Sequence, residues 1–235
     1  MRFSVPFGRL AALALVPALL VGCGNDAASS EAVPAQQQAQ QTPPADGEEM
    51  FDISGIGFDL GDVETAVVQV VEFSDFGCVH CANFHIESFP QLYEEFVASG
   101  QVAWKYIPIT IAGFPNADEA AVAGHCAMEQ DRFAPVRDWL YEHRESWMAS
   151  DDPNALFVDQ ADEAGLDAGA FESCLIESEG PRAQVAEASQ IAMELGVRGT
   201  PTFVVQGFPV QGAPPLEQFQ EALRQLVAEA EGQEG

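Results

Sequence analysis

The chain has 235 residues, 47% of them apolar, which is enough for one folded domain with a substantial core. Its formal net charge is −28, from 37 acidic and 9 basic residues, and Lys105 is the only lysine. Such a surface argues against binding nucleic acid or an anionic membrane surface, and it reads as a solvated acidic exterior.

The N-terminus carries Arg2 and Arg9, an apolar run from Leu10 to Val21, and small residues before Cys23. A basic start, a short apolar core and a small-residue cut describe a signal peptide over residues 1–22, not a membrane span. Leu20-Val21-Gly22-Cys23 resembles the lipobox of bacterial lipoproteins. That resemblance implies cleavage before Cys23 and acylation of Cys23, which would anchor the chain by lipid on the periplasmic side of a bacterial membrane. Loss of the leader would leave 7 basic residues against 37 acidic ones. Outside the cytoplasm, disulfides persist. Residues 23–58 are assigned to a linker. Its first part is built from Ala, Ser, Gln, Pro, Asp and Glu, with Gln36-Gln37-Gln38 and Thr42-Pro43-Pro44, and it lacks apolar periodicity. It reads as a disordered tether.

Val67–Phe73 is a nearly continuous β-branched run, the pattern of a central strand covered on both faces. It delivers Cys78-Val79-His80-Cys81 to the start of a helix. Two cysteines three residues apart on a first turn can form a disulfide. The free N–H groups and the dipole there favour a thiolate on Cys78. The helix is expected over 79–99, with Phe84, Phe89, Leu92 and Phe96 in the core, a kink or split at Pro90, and a stop at Gly100. Val102–Ile107 reads as a second strand, parallel to the first because a helix separates them.

An α-only stretch follows, from about Asn116 to Leu195. Phe133, Val136, Leu140, His143 and Trp147 fall on one helical face. Asp152 before Pro153 starts another helix that Gly165 ends, and Asp167 caps the next. Val185, Ala188, Ala192 and Leu195 share a face of a helix that stops at Gly196. Thr202–Val205 and Phe208–Gln211 then read as a hairpin around Gln206-Gly207, with Pro209 confining the second strand to an edge. Residues 216–228 close the chain as a helix.

The order is therefore βαβ, a helical block, then ββα. Four segments carry a family resemblance: Glu72–Cys81, Cys126–Phe133, Phe171–Leu175, and Gly196-Val197-Arg198-Gly199-Thr200-Pro201-Thr202-Phe203. Together they resemble the DsbA-like thiol–disulfide oxidoreductases, an α/β thioredoxin-like fold with an inserted α-helical domain. The resemblance implies a thioredoxin-like domain at 59–110 and 196–230 and a helical insertion at 111–195. It implies an exposed nucleophile at Cys78, a resolving Cys81, and thiolate stabilisation by His80. It further implies a buried proton acceptor at Glu72 that acts on Cys81 through water, and a cis peptide before Pro201. Thr200 and Pro201 would then bind an extended client backbone. A lone carboxylate on an apolar strand is costly to bury unless it works, which agrees with that role for Glu72.

Cys126 and Cys174 lie on two helices of the insertion, and a structural disulfide between them is the preferred reading in an oxidising compartment; two buried free thiols are the alternative. No cofactor beyond the redox disulfide and no metal is expected. Cys78, Cys81 and His85 could hold copper or zinc, but His85 is read as a helix-surface residue, and His125 and His143 as ordinary helix residues. The expected partners are unfolded or partly folded secreted proteins and a membrane redox partner, either a quinone-linked oxidase or a reductant, with the chain acting as a monomer. Oxidation is the favoured direction. Val79 replaces the proline common in the oxidases, so a reductase or isomerase stays open. A metal carrier and a redox-inert peptide-binding module are the readings outside that enzyme class.

Overall fold

The computed structural model describes residues 4–6 and 50–233. Cys23 and most of the expected leader and tether lie outside the described residues. Two short strands, β1 (Ser4–Pro6) and β2 (Met50–Asp52), pair antiparallel with Ser4 opposite Asp52.

The main sheet has five strands: β3 (Phe58–Leu60), β4 (Val68–Ser74), β5 (Val102–Pro108), β6 (Thr202–Val205) and β7 (Phe208–Gln211), in the order β3-β5-β4-β6-β7. β4 and β5 run parallel from Val68 opposite Val102 to Ser74 opposite Pro108. The other pairs are antiparallel. β4 is central, so both of its faces are covered. Val68 and Val70 pack on one side, Val71 and Phe73 on the other. Pro209 sits on the edge strand β7, where its missing N–H leaves no ladder bond broken. Gln206 and Gly207 turn the hairpin with φ of 48° and 85°, as a two-residue turn with matching twist requires.

The first helical run, α1, covers residues 79–97. It alternates α-helical turns, Val79–Asn83 and Phe89–Leu92, with wider π turns, Phe84–Ser88 and Tyr93–Val97. Pro90 lacks an N–H and stands in the first turn of the second α segment, which accounts for the split there. Phe84, Phe89, Leu92 and Phe96 are buried with Trp104, Phe203 and the closing helix α8 (Leu216–Gln233).

Between β5 and β6 lie α2 (Ala117–Met128), α3 (Phe133–Glu142), α4 (Arg144–Met148), α5 (Pro153–Asp159), α6 (Ala168–Ile176) and α7 (Glu179–Glu194). Asp152 accepts from the Ala155 N–H and Asp167 from the Ala170 N–H, so both expected caps form. A disulfide joins Cys126 on α2 to Cys174 on α6, with Cα atoms 5.7 Å apart.

Four local expectations change. The helix begun at Pro153 ends at Asp159, well before Gly165, which was expected to stop it. The segment 53–58 is not tether: Ile53, Ile56 and Phe58 are buried, and β3 pairs with β5. Its apolar residues are too few and too interrupted by glycine to show a period. Gly57, at φ +70°, is what allows this approach, since a Cβ there would stand 2.4 Å from the Tyr106 carbonyl oxygen. The face from Phe133 to Trp147 belongs to two helices, because the chain leaves helical geometry at His143, which is exposed. The closing helix runs past Ala228 to Gln233.

Candidate active site

The loop from β4 to α1 is folded by its own backbone. Asp75 Oδ1 accepts from the Gly77 N–H at 2.8 Å, and the Asp75 carbonyl accepts from the Cys78 N–H at 3.0 Å. Gly77 permits the close packing here, as a Cβ would fall 2.4 Å from Phe114 Cβ. Arg144 Nη1 donates to the Gly77 carbonyl from α4 at 3.1 Å. Cys78 is thereby set as the N-cap of α1, in extended geometry at φ −82°, ψ 121°.

Cys78 and Cys81 are both free thiols. Cys78 was expected to be exposed; it is instead 5% exposed, and Cys81 is fully buried. The cause is the loop before β6. The Thr200–Pro201 peptide is cis, and the Thr200 carbonyl lies 3.3 Å from Cys78 Sγ, accepting from the thiol. That loop is held by Thr202 Oγ1 donating to the Gly199 carbonyl at 2.7 Å and by the Gly212 N–H donating to the Pro201 carbonyl at 2.9 Å.

The two sulfurs are opposed electrostatically. A hydrogen bond from the Cys81 thiol holds the Cys78 pKa down to about 5, against burial, with further help from the Thr200 side chain and the Cys81 and His80 backbone N–H groups. Burial and the neighbouring Cys78 charge push Cys81 far up. So the site favours ionisation of Cys78 and opposes ionisation of Cys81. The His80 side chain is exposed, and its part in this geometry is played by its backbone N–H.

A family model described as thioredoxin matches residues 60–225. The chain belongs to the thioredoxin family. Within that family its fold is DsbA-like: alpha-DsbA1 of Wolbachia pipientis superposes with a TM-score of 0.66 at 21% identity, over 75% of this chain and 94% of that one. A putative protein-disulfide oxidoreductase of Rickettsia bellii (strain RML369-C) is 24% identical over 173 residues, 73% of this chain and 66% of the relative. A probable disulfide bond formation protein D of Bacillus cereus (strain ATCC 14579) is 29% identical over 150 residues, 61% of this chain and 68% of the relative. The chain thus spans just under two thirds of the Rickettsia protein.

In this thioredoxin-family chain, Glu72 is fully buried, but its bonds do not run to the cysteines. Oε1 is 2.8 Å from His85 Nε2, and Oε2 accepts from Trp104 Nε1 at 3.0 Å. His85 is correspondingly not a helix-surface residue. Burial lowers its pKa, opposed by the Glu72 charge, and its ring stacks on Tyr141 at 4.8 Å. With Nε2 committed to Glu72, His85 does not complete a metal site with the cysteines. Among the described residues no group of three His, Cys, Asp or Glu could hold a metal ion. Nor is any helix among them long and apolar enough to cross a membrane. His125 is buried, and burial depresses its pKa to about 4.

Four site residues had no sequence argument behind them. Tyr141 from α3 and Tyr106 from β5 share a 2.6 Å hydroxyl contact, and Tyr141 reaches Ser74 at 3.1 Å. The Ser74 hydroxyl in turn bonds Cys81. Tyr141 lies 67 residues from Ser74, and no local pattern announces such a contact. Asp75 is the fourth. It is fully buried and its Oδ2 has no hydrogen-bond partner. Burial, above all, raises its pKa to about 7. Its place three residues before the first cysteine is the one sequence signal it carries.

Proposed function

We propose that this chain is an extracytoplasmic thiol–disulfide oxidoreductase that oxidises, or exchanges, cysteines of unfolded or partly folded secreted proteins through Cys78 and Cys81. The observation that carries the reading is a pair of free cysteines, Cys78 at the N-cap of α1 and Cys81 buried one turn in, packed against the cis Thr200–Pro201 loop, with Cys78 favoured and Cys81 opposed as a thiolate. A stabilised thiolate favours the reduced pair, so the disulfide is readily passed on. Cys78 is the nucleophile and the attacked sulfur, and Cys81 is the resolving or leaving sulfur. Thr200 and Pro201 offer backbone groups to an extended client, beside Cys78. His80 adds to the donors around the thiolate. Acylated Cys23 would hold the monomer at the membrane, where a quinone-linked oxidase restores the disulfide; no cofactor beyond that disulfide is needed.

The test is the redox equilibrium of the full chain against glutathione buffers, followed by alkylation of Cys78. A potential well above that of glutathione is expected. A value near about −270 mV, the thioredoxin range, would make the chain a reductase and overturn the direction. A Cys78 that stays unreactive at every poise would leave only a redox-inert binding module.

A further inference from the structure

We propose that Asp75 is the proton-transfer group for Cys81, in place of Glu72. The inference rests on the exchange reaction proposed above. Cys81 is the sulfur whose charge the site does not tolerate, so its departure or attack must be coupled to a proton. Glu72 is poorly placed to supply it. Both of its oxygens are engaged, by His85 and Trp104, and the Tyr106–Tyr141 pair is what it shares with Cys81. Asp75 is placed well. Its backbone N–H bonds the Cys81 sulfur, its carboxyl feels the Cys78 charge, and one carboxyl oxygen is buried with no partner. Oδ1 is held by the Gly77 N–H, so Oδ2 is the oxygen left to carry the proton.

The step balances as follows. A client thiolate attacks Cys78 Sγ of the oxidised pair, and a client–Cys78 bond forms as the Cys78–Cys81 bond breaks. Cys81 leaves with the electron pair and takes the proton from Asp75 Oδ2. A second client thiolate attacks the client sulfur of the mixed disulfide, and Cys78 leaves as a thiolate. The client is oxidised by two electrons, the pair is reduced by two, and solvent reprotonates Asp75. The groups acting on the Asp75 carboxyl are the Gly77 N–H, Cys78 of the motif and Asp118 at the start of α2, the last two opposing its ionisation; Cys81 meets the Asp75 backbone N–H, and Arg144 of α4 is bound to the adjacent Gly77 carbonyl. A proton carrier that titrates close to neutral pH suits the task.

The experiment measures the rate at which a small dithiol reduces the oxidised full chain, corrected for its thiolate fraction, from pH 5 to 9 in the wild type, Asp75→Asn and Glu72→Gln. The wild-type rate should fall as pH rises through a midpoint at or somewhat below 7, because the protonated carboxyl is the donor. Asp75→Asn keeps the Gly77 acceptor, and should be about 100-fold slower at pH 6 with that pH dependence gone. Glu72→Gln should keep the wild-type pH profile. An unchanged profile in Asp75→Asn, or its loss in Glu72→Gln, overturns the assignment while leaving the oxidoreductase reading intact. A wild type that does not exchange at all ends both. Should Asp75→Asn fail to fold, carboxyl carbon NMR on the wild type decides. The Asp75 titration must move down when the Cys78–Cys81 disulfide forms and removes the thiolate charge, and a midpoint indifferent to redox state sinks the proposal.

Discussion

The cysteine pair illustrates how a single hydrogen bond divides two chemically identical groups. The largest influence lowering the Cys78 pKa is the Cys81 thiol, and only then the Thr200 side chain and the helix-turn N–H groups. Cys81→Ala should therefore raise the Cys78 midpoint clearly above 5, measurable as thiolate absorbance or alkylation rate against pH. A midpoint unmoved by that substitution would assign the depression to the helix start alone. Asp75 tests the opposite sign. Its carboxyl is held up to about 7 by burial, so the folded chain binds a proton that the unfolded chain has released between the ordinary carboxylate value and 7. That group costs stability above pH 7 and the cost fades as pH falls toward 4. Asp75→Asn should consequently stabilise the reduced protein by about 2–4 kcal/mol at pH 8 and by almost nothing at pH 4, read from urea unfolding at each pH. His125 works the other way: burial depresses its folded pKa to about 4, so the unfolded chain takes up the proton first and stability falls as pH drops from the ordinary histidine value toward 4.

At the scale of elements, the insertion is clamped where the sequence suggested. The Cys126–Cys174 disulfide closes a loop of 48 residues between α2 and α6. Chain entropy puts its stabilisation at about 4 kcal/mol, so replacing both cysteines by serine should lower the unfolding free energy measured in urea by that amount without altering Cys78 alkylation. A loss under about 1 kcal/mol would show that α2 and α6 are held by packing of Phe171 and Leu175 alone. Strands and caps were legible because each is a local pattern: β4 as an unbroken apolar run, Asp152 and Asp167 as caps, Gln206-Gly207 as a turn. The cysteine motif and the order of elements followed from the same kind of reading, whereas the cis loop at Pro201 followed from the family resemblance. What was not legible is long-range or conformational. β3 is a three-residue edge strand whose partner β5 lies over forty residues away. The His143 break depends on how α3 and α4 pack, and the exposure of Cys78 depends on a loop 122 residues downstream. His85 was misjudged because one histidine on a helix is the same in sequence whether it faces water or a buried glutamate.

At the scale of the whole molecule, the sheet is built from two stretches of chain, and the cysteine loop is closed only when residues 199–202 return to β4. The charge lies elsewhere. Lys105, the only lysine, is 1% exposed, paired with Asp59 Oδ1 at 2.7 Å and donating to the Ile56 carbonyl. That pair is neutral, so the acidic balance of −28 belongs to the remaining charged groups. A field of that sign acts on encounter before any contact is made. Two cysteine peptides of equal length, one flanked by Lys and Arg and one by Asp and Glu, should differ about tenfold in their rate of attack on the oxidised chain at low ionic strength. At about 1 M salt the screening length falls to roughly 3 Å and the two rates should converge. Thiol reactivity itself is unaffected by such distant screening, so the ratio of rates isolates the field. A ratio that holds at high salt would place the preference in contacts beside Thr200 and Pro201, and the acidity would then serve solvation alone.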